Sequence, residues 1–159
     1  MNLTKETEDQ AIEVFIPGSV PSLKNSKVKT SRGIFMSKTC MKYLRSLNIQ
    51  AYSSSKKTVK GYVDKNKPNL FLQSIRPLIP ELTRQKPIII GFHFVRKTKA
   101  EFDFNNSNQI LLDLMSAHDL IPDDSMSYVI PMPYKRDGKW FSQSKDEPGV
   151  YIKIIKDEY

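Results

Sequence analysis

Residues 101–124, EFDFNNSNQILLDLMSAHDLIPDD, constrain the fold more than any other stretch of the chain. Ile110, Leu111, Leu114, Met115 and His118 recur at helical spacing, and Pro122 forces the chain out of the helix. Asn106 or Ser107 is placed to cap its start, which predicts a helix over 107–118 after an extended run that stops at Asp103. Asp103 stands at one junction, and Asp123 and Asp124 stand at the other. Such carboxylates stay accessible while the helix buries its apolar stripe, so they read either as plain caps or as candidate ligands. The helix is ~18 Å long, so Asp103 and Asp124 begin near its opposite ends. Residues 119–123 span at most ~17 Å, and they bring Asp124 back to Asp103 only by running nearly straight. One pocket per chain is therefore tight, and the alternative is a site completed across a dimer interface.

A β-branched and aromatic run over 86–95 leads into this stretch and predicts a central strand, with His93 as a sheet residue. Arg96, Lys97 and Lys99 follow it, ahead of Glu101 and Asp103. Cations beside carboxylates suit a phosphodiester, with the cations holding its backbone and the acids a metal; a strand ending in water has the same appearance. Upstream, a strand over 11–16 ends at Pro17 and Gly18. Residues 19–33 form a basic loop with room for a short hairpin, in which Lys24, Lys27, Lys29 and Arg32 either contact phosphates or are merely solvated. An amphipathic helix is expected over 37–51 from Ser37, with Cys40 packed inside. The lysine-rich segment 52–68 is the least readable, and Pro77 and Pro80 limit 70–82 to short pieces. Strands over 127–132 and 150–155 complete the sheet, separated by an Asp137-Gly138 turn. Trp140 beside it either stacks on a base or covers a sheet edge.

At 159 residues the expectation is one domain over 11–156 behind a disordered tail of residues 1–10. The fold class is α/β (α+β), a mixed β-sheet packed with helices. Twenty-five Lys and Arg oppose seventeen Asp and Glu, a net charge of +8. That excess favours a polyanion, nucleic acid first, over the blander reading of a soluble basic protein. Cys40 is the only cysteine, which excludes internal disulfides and multi-cysteine zinc sites and suits a reducing cytosol. No apolar run approaches the ~20 residues of a membrane helix and no signal-peptide core is present, so a soluble, cytoplasmic protein without a membrane partner is expected. There is no histidine cluster, no phosphate-cradling glycine loop and no Ser, His and Asp set, which leaves carboxylate chemistry with a hard cation such as Mg²⁺.

The same residues resemble the RusA-type Holliday junction resolvase family, endodeoxyribonucleases often carried by prophages. That family shows Asp-x-Asp-Asn before a helix, a lysine one turn inside it, an Asp-Ala-Leu segment, a glycine and a closing Asp-Asp. Asp103, Asn106, Asp113-Leu114-Met115 and Asp123-Asp124 fall at matching spacings. The early strand followed by Pro17-Gly18-Ser19-Val20-Pro21-Ser22-Leu23-Lys24-Asn25 is similar to the family's N-terminal loop. The resemblance covers residues 12–27 and 88–130. It implies a single RusA-like domain, an intertwined homodimer, and cutting of four-way and other branched DNA with Mg²⁺ or Mn²⁺ in recombination and repair.

Carried over, Asp103 and Asp124 become metal ligands with Asp123 beside them, and Asp103, Asn105 and Asp124 occupy the catalytic positions. Lys24, Asn25, Lys27, Lys29, Arg96, Lys97, Lys99 and Gln109 become the DNA contacts. Asn105 stands where the family has its second aspartate, Gln109 replaces its lysine, and His118-Asp119 replace alanine and glycine. An asparagine oxygen can coordinate Mg²⁺ but brings no charge and cannot serve as a carboxylate base. The alternatives to an active nuclease are a catalytically weakened branched-DNA-binding relative and an unrelated protein-binding adaptor.

Overall fold

The computed structural model of the chain describes residues 11–22, 27–52, 56–84 and 86–156. In chain order these form β1 (Glu13–Pro17), β2 (Lys27–Thr30), β3 (Gly33–Met36), α1 (Lys38–Ser46), α2 (Val59–Tyr62) and α3 (Leu70–Ile75). A 3-10 turn (Arg76–Leu78), α4 (Ile79–Leu82), β4 (Ile88–Arg96), α5 (Phe104–Ala117), β5 (Val129–Pro133), β6 (Ser142–Gln143) and β7 (Gly149–Ile155) follow. The fold is α+β: a mixed five-stranded sheet ordered β1-β7-β4-β5, with β6 beside the end of β4, and a separate β2-β3 hairpin.

The run Ile88-Ile89-Ile90 continuing through Phe92 and Phe94 makes β4 the strand that both faces of the core demand. Ile90 and Phe92 are fully buried in it. β7 pairs antiparallel with β4 and with β1, whereas β5 pairs parallel with β4. Parallel neighbours need a crossover, and α5 supplies it. Residues 101–124 thus belong to the connection of a β4-α5-β5 unit. Asp103 leaves the carboxyl end of the central strand, where open α/β sheets commonly place ligands.

Leu111, Leu114 and Met115 of α5 are fully buried, as the helical spacing required. Phe104, in its first turn, packs edge-on against Phe92 at 6.3 Å and Phe94 at 5.9 Å. Leu44 of α1 and Phe71 and Ile75 of α3 join the same core, Phe71 stacking on His118 at the end of α5 at 5.3 Å.

Two helix boundaries differ from the spacing-based expectation. α5 begins at Phe104 because Asp103 itself is the cap, its side chain accepting the Asn106 N–H at 3.2 Å. Ser107 is fully buried and cannot serve. α1 stops at Ser46 instead of running to 51, because Asn48 turns left-handed at φ 64°. Its predicted cap holds: the Ser37 side chain accepts the Cys40 N–H. The strands fall within two residues of their predicted places, and the hairpin allowed for in the basic loop is β2-β3. β6 was not foreseen, since two residues carry no periodicity. The expected tail, residues 1–10, lies outside the described residues. Among those described, no helix is long and apolar enough to cross a membrane.

Candidate metal centre and nucleic-acid interface

Asp103 is exposed at the start of α5, and its own N–H donates to Ser22 Oγ at 2.9 Å. The proline-rich loop after β1 is thereby tied to the first acidic position. Ser22 has no local signal in the sequence, because its partner lies 81 residues away.

Asn105, Gln109 and Asp113 follow at intervals of four and line one stripe of α5, with Asn105 and Gln109 exposed. Gln109 Nε2 donates to Asp113 Oδ1 at 2.9 Å and to Asp124 Oδ2 at 2.8 Å. The chain after α5 therefore does run back along the helix, carrying Asp124 to its middle. Gln109 lies six residues past Asp103, about 9 Å along the axis. Asp103 and Asp124 thus border the same half of α5 without touching.

Asp123 Oδ1 accepts the Asp124 N–H at 2.6 Å. The hydrogen bond donated by Gln109 is the foremost cause that holds the Asp124 carboxyl below the ordinary carboxylate range. Asp124 is accordingly charged at neutral pH. Asp103, Asp123 and Asp124 form no ion pair among the described residues. Among the described residues they are thus three exposed carboxylates without a paired cation.

These donors suit Mg²⁺ or Mn²⁺ in kind. Asp103 and Asp124 each commit one carboxylate oxygen to a hydrogen bond, leaving the other for a cation. Among the described residues no three His, Cys, Asp or Glu side chains gather around one point. The described residues therefore enclose no cation, and Asp103 and Asp124 offer at most one or two carboxylates to a hard ion whose other ligands would be water or phosphate oxygens.

The cations separate into two groups. Lys29, Lys97 and Lys99 are exposed. Arg96 is half-buried, its Nη1 donating to Val20 O at 2.9 Å and its guanidinium lying 4.7 Å from the Phe102 ring, so it clamps the loop that carries Ser22. Burial pulls its pKa down. Lys27 belongs to β2, while Lys24 and Asn25 lie outside the described residues.

Phe102, next to Asp103, packs edge-on against Phe141 at 5.1 Å. Phe141 and Trp140 are 53% and 55% exposed, and the Lys135 ammonium sits 5.0 Å from the Trp140 ring. Trp140 therefore keeps an open face. The turn before it is the predicted one, with Asp137 and Gly138 both at positive φ and Arg136 bridged to Lys139. His93 is a sheet histidine as expected: fully buried, its Nδ1–H donates to Tyr134 O at 2.9 Å and its Nε2 pairs with Ser142 Oγ.

Lys56, Lys57 and Lys60 escaped the reading of the sequence as site residues, yet they line a cleft of about 370 Å³ with Asp113 and Ser116 of α5. Only the fold brings that polar segment to the same helix. No family model, curated protein or solved structure matches the chain.

Proposed function

We propose that the chain is a divalent-metal-dependent, structure-specific endodeoxyribonuclease that cuts four-way DNA junctions, working as a homodimer. One observation carries this reading: three exposed carboxylates with no ion pair among the described residues border α5 in a chain with an excess of eight positive charges, with Lys97 and Lys99 just before them. Unpaired carboxylates are ordinary on a protein surface, so the weight of the observation lies in their position, at the two junctions of one helix and next to Lys97 and Lys99. The resemblance to RusA-type resolvases assigns the same residues.

In this account Asp103 and Asp124 hold the cation, with Asp123 fixing the Asp124 loop and Asn105 offering a neutral amide oxygen from the same stripe. When bound, Mg²⁺ or Mn²⁺ supplies Lewis acidity at the phosphoryl oxygen and a more acidic water. Gln109 orients and keeps ionised the Asp124 carboxylate. Lys29, Lys97 and Lys99 hold DNA phosphates, and Arg96 positions the Ser22 loop.

A second reading has its own observation. Gln109 is neutral and its amide is engaged by Asp113 and Asp124, so it contributes no cation to a scissile phosphate. That favours a branched-DNA-binding protein of the same fold with weakened chemistry. The test is incubation of a labelled four-way junction and a matched duplex with Mg²⁺, Mn²⁺ or chelator, alongside Asp103→Asn. The nuclease reading expects metal-dependent nicks in the junction that the variant loses by at least about 100-fold. Junction binding without nicks under either metal would establish the second reading, and salt-independent or absent DNA binding would remove both.

A further inference from the structure

We propose that the cleft between β3, α2 and α5 is a second phosphate-binding site, which takes the backbone of a DNA strand several nucleotides from Asp103; the proposal rests on the nucleic-acid reading above. Lys56, Lys57, Lys60 and Thr58 form one side of this cleft of about 370 Å³, and Asp113 and Ser116 form the other. Three lysines thus line one concave surface with one carboxylate, Asp113, which also accepts from Gln109, while the Lys57 ammonium lies 5.8 Å from the Tyr62 ring. Lys56 and Lys60 make no ion pair among the described residues. Gathering like charges on a concave, partly apolar wall costs free energy that a bound anion relieves, and such walls focus the field that attracts it.

The positive surface continues past the cleft. Arg32, Lys38 and Lys56 line an adjoining apolar groove of about 600 Å³ on the hairpin. The Lys56 side chain lies over Gly33, so close that a Cβ there would meet its Cε and Nζ at 3.1 Å. Lys56 therefore links the two concavities in one basic track along β3.

The track is continuous with the candidate metal centre. Asp124, Gln109 and Asp113 form a hydrogen-bonded row on α5, and Asp113 and Ser116 carry that row into the cleft. Asp113 lies ten residues past Asp103, about 15 Å along the helix. At 3.4 Å per nucleotide a DNA strand covers that distance in about four to five nucleotides. A strand cut near Asp103 therefore places a later phosphate at the lysines, which turns one contact into an orientation.

The experiment measures anisotropy of a labelled junction with wild type, K56Q/K57Q/K60Q and K56R/K57R/K60R over a series of salt concentrations. The glutamine variant is expected to bind about tenfold more weakly and to lower the slope of log K against log salt by about 1 to 2, with the arginine variant restoring both. Unchanged melting temperatures in all three proteins confine the effect to the surface. A glutamine variant with wild-type affinity and slope overturns the cleft while leaving the nucleic-acid reading intact. Wild type that binds no DNA overturns that reading and the cleft with it. A mononucleotide that binds DNA-free wild type and not the glutamine variant would assign the cleft to a free nucleotide and overturn the DNA occupant.

Discussion

Gln109 decides what the candidate centre can do. A lysine in its place would set a cation between Asp113 and Asp124, whereas the amide donates to both without neutralising either. Its bond is the foremost reason that Asp124 stays below the ordinary carboxylate range. Gln109→Leu should therefore move the Asp124 titration upward in a carboxyl-carbon NMR experiment, and an unmoved titration would show that the Gln109 bond does not set it. Asp124 is exposed, so this coupling adjusts charge far more than stability. Asp119 shows the same economy at a departure from the resolvase pattern. It takes φ 58°, the left-handed position that a glycine fills at helix ends, and pairs with Lys65 across the surface.

At the scale of elements, α5 joins the core to the site, and its exit carries a pH-sensitive contact. His118 Nδ1–H donates to Leu114 O at 2.7 Å, so Nε2 receives the Asn69 amide at 2.9 Å, while Asn69 Oδ1 caps Leu72. Burial lowers the His118 pKa, against the pull of the Leu114 carbonyl and of Asp119, with Lys65 adding a small push down. A histidine whose folded pKa is depressed contributes its stability fully above the unfolded value near ~6.5 and loses it as pH falls, because the unfolded chain takes up a proton that the native state refuses. Denaturant unfolding at two pH values either side of ~6.5 should show a loss of wild-type stability on acidification that His118→Gln reduces. Equal losses in both proteins would place the acid sensitivity elsewhere.

The legibility of these elements follows their physics. α5 was visible because Leu111, Leu114 and Met115 repeat at helical spacing, and β4 because residues 88–95 form a nearly continuous β-branched and aromatic run. The start of α5 was misplaced because Asp103, Asn106 and Ser107 are all good caps, and only the bond from the Asn106 N–H to the Asp103 carboxylate singles out the first. Ser22, Lys56, Lys57 and Lys60 reach the site through long-range packing, for which a local pattern carries no signal. The acidic pair at 123–124 was visible as chemistry, but its return to Gln109 depended on a loop geometry that spacing only bounded.

At the scale of the whole molecule, the parallel β4-α5-β5 unit places an acidic row beside two basic surfaces. One is the exposed pair Lys97 and Lys99, and the other is the lysine cleft at β3. The 134–140 turn segment is fastened to the sheet. Tyr134 OH donates to Glu13 at 2.7 Å, and Arg136 pairs with Glu13 while stacking 3.5 Å from the Tyr151 ring. That anchoring leaves Trp140 and Phe141 open on a fixed support. Under the proposed reading, Lys97 and Lys99 on one side and the lysine cleft on the other would hold the polyanion that the carboxylates act on.

The most direct measurement is the single-turnover rate of four-way junction cleavage in Mn²⁺ for wild type and Asp124→Asn, with junction affinity measured in parallel. The account predicts metal-dependent nicking by wild type and a loss of at least about 100-fold in the variant, while affinity stays within about threefold. Wild type that binds the junction and cuts it in no metal, or an Asp124→Asn protein that cuts as fast as wild type, would contradict the assignment of residues 101–124 as a nuclease centre.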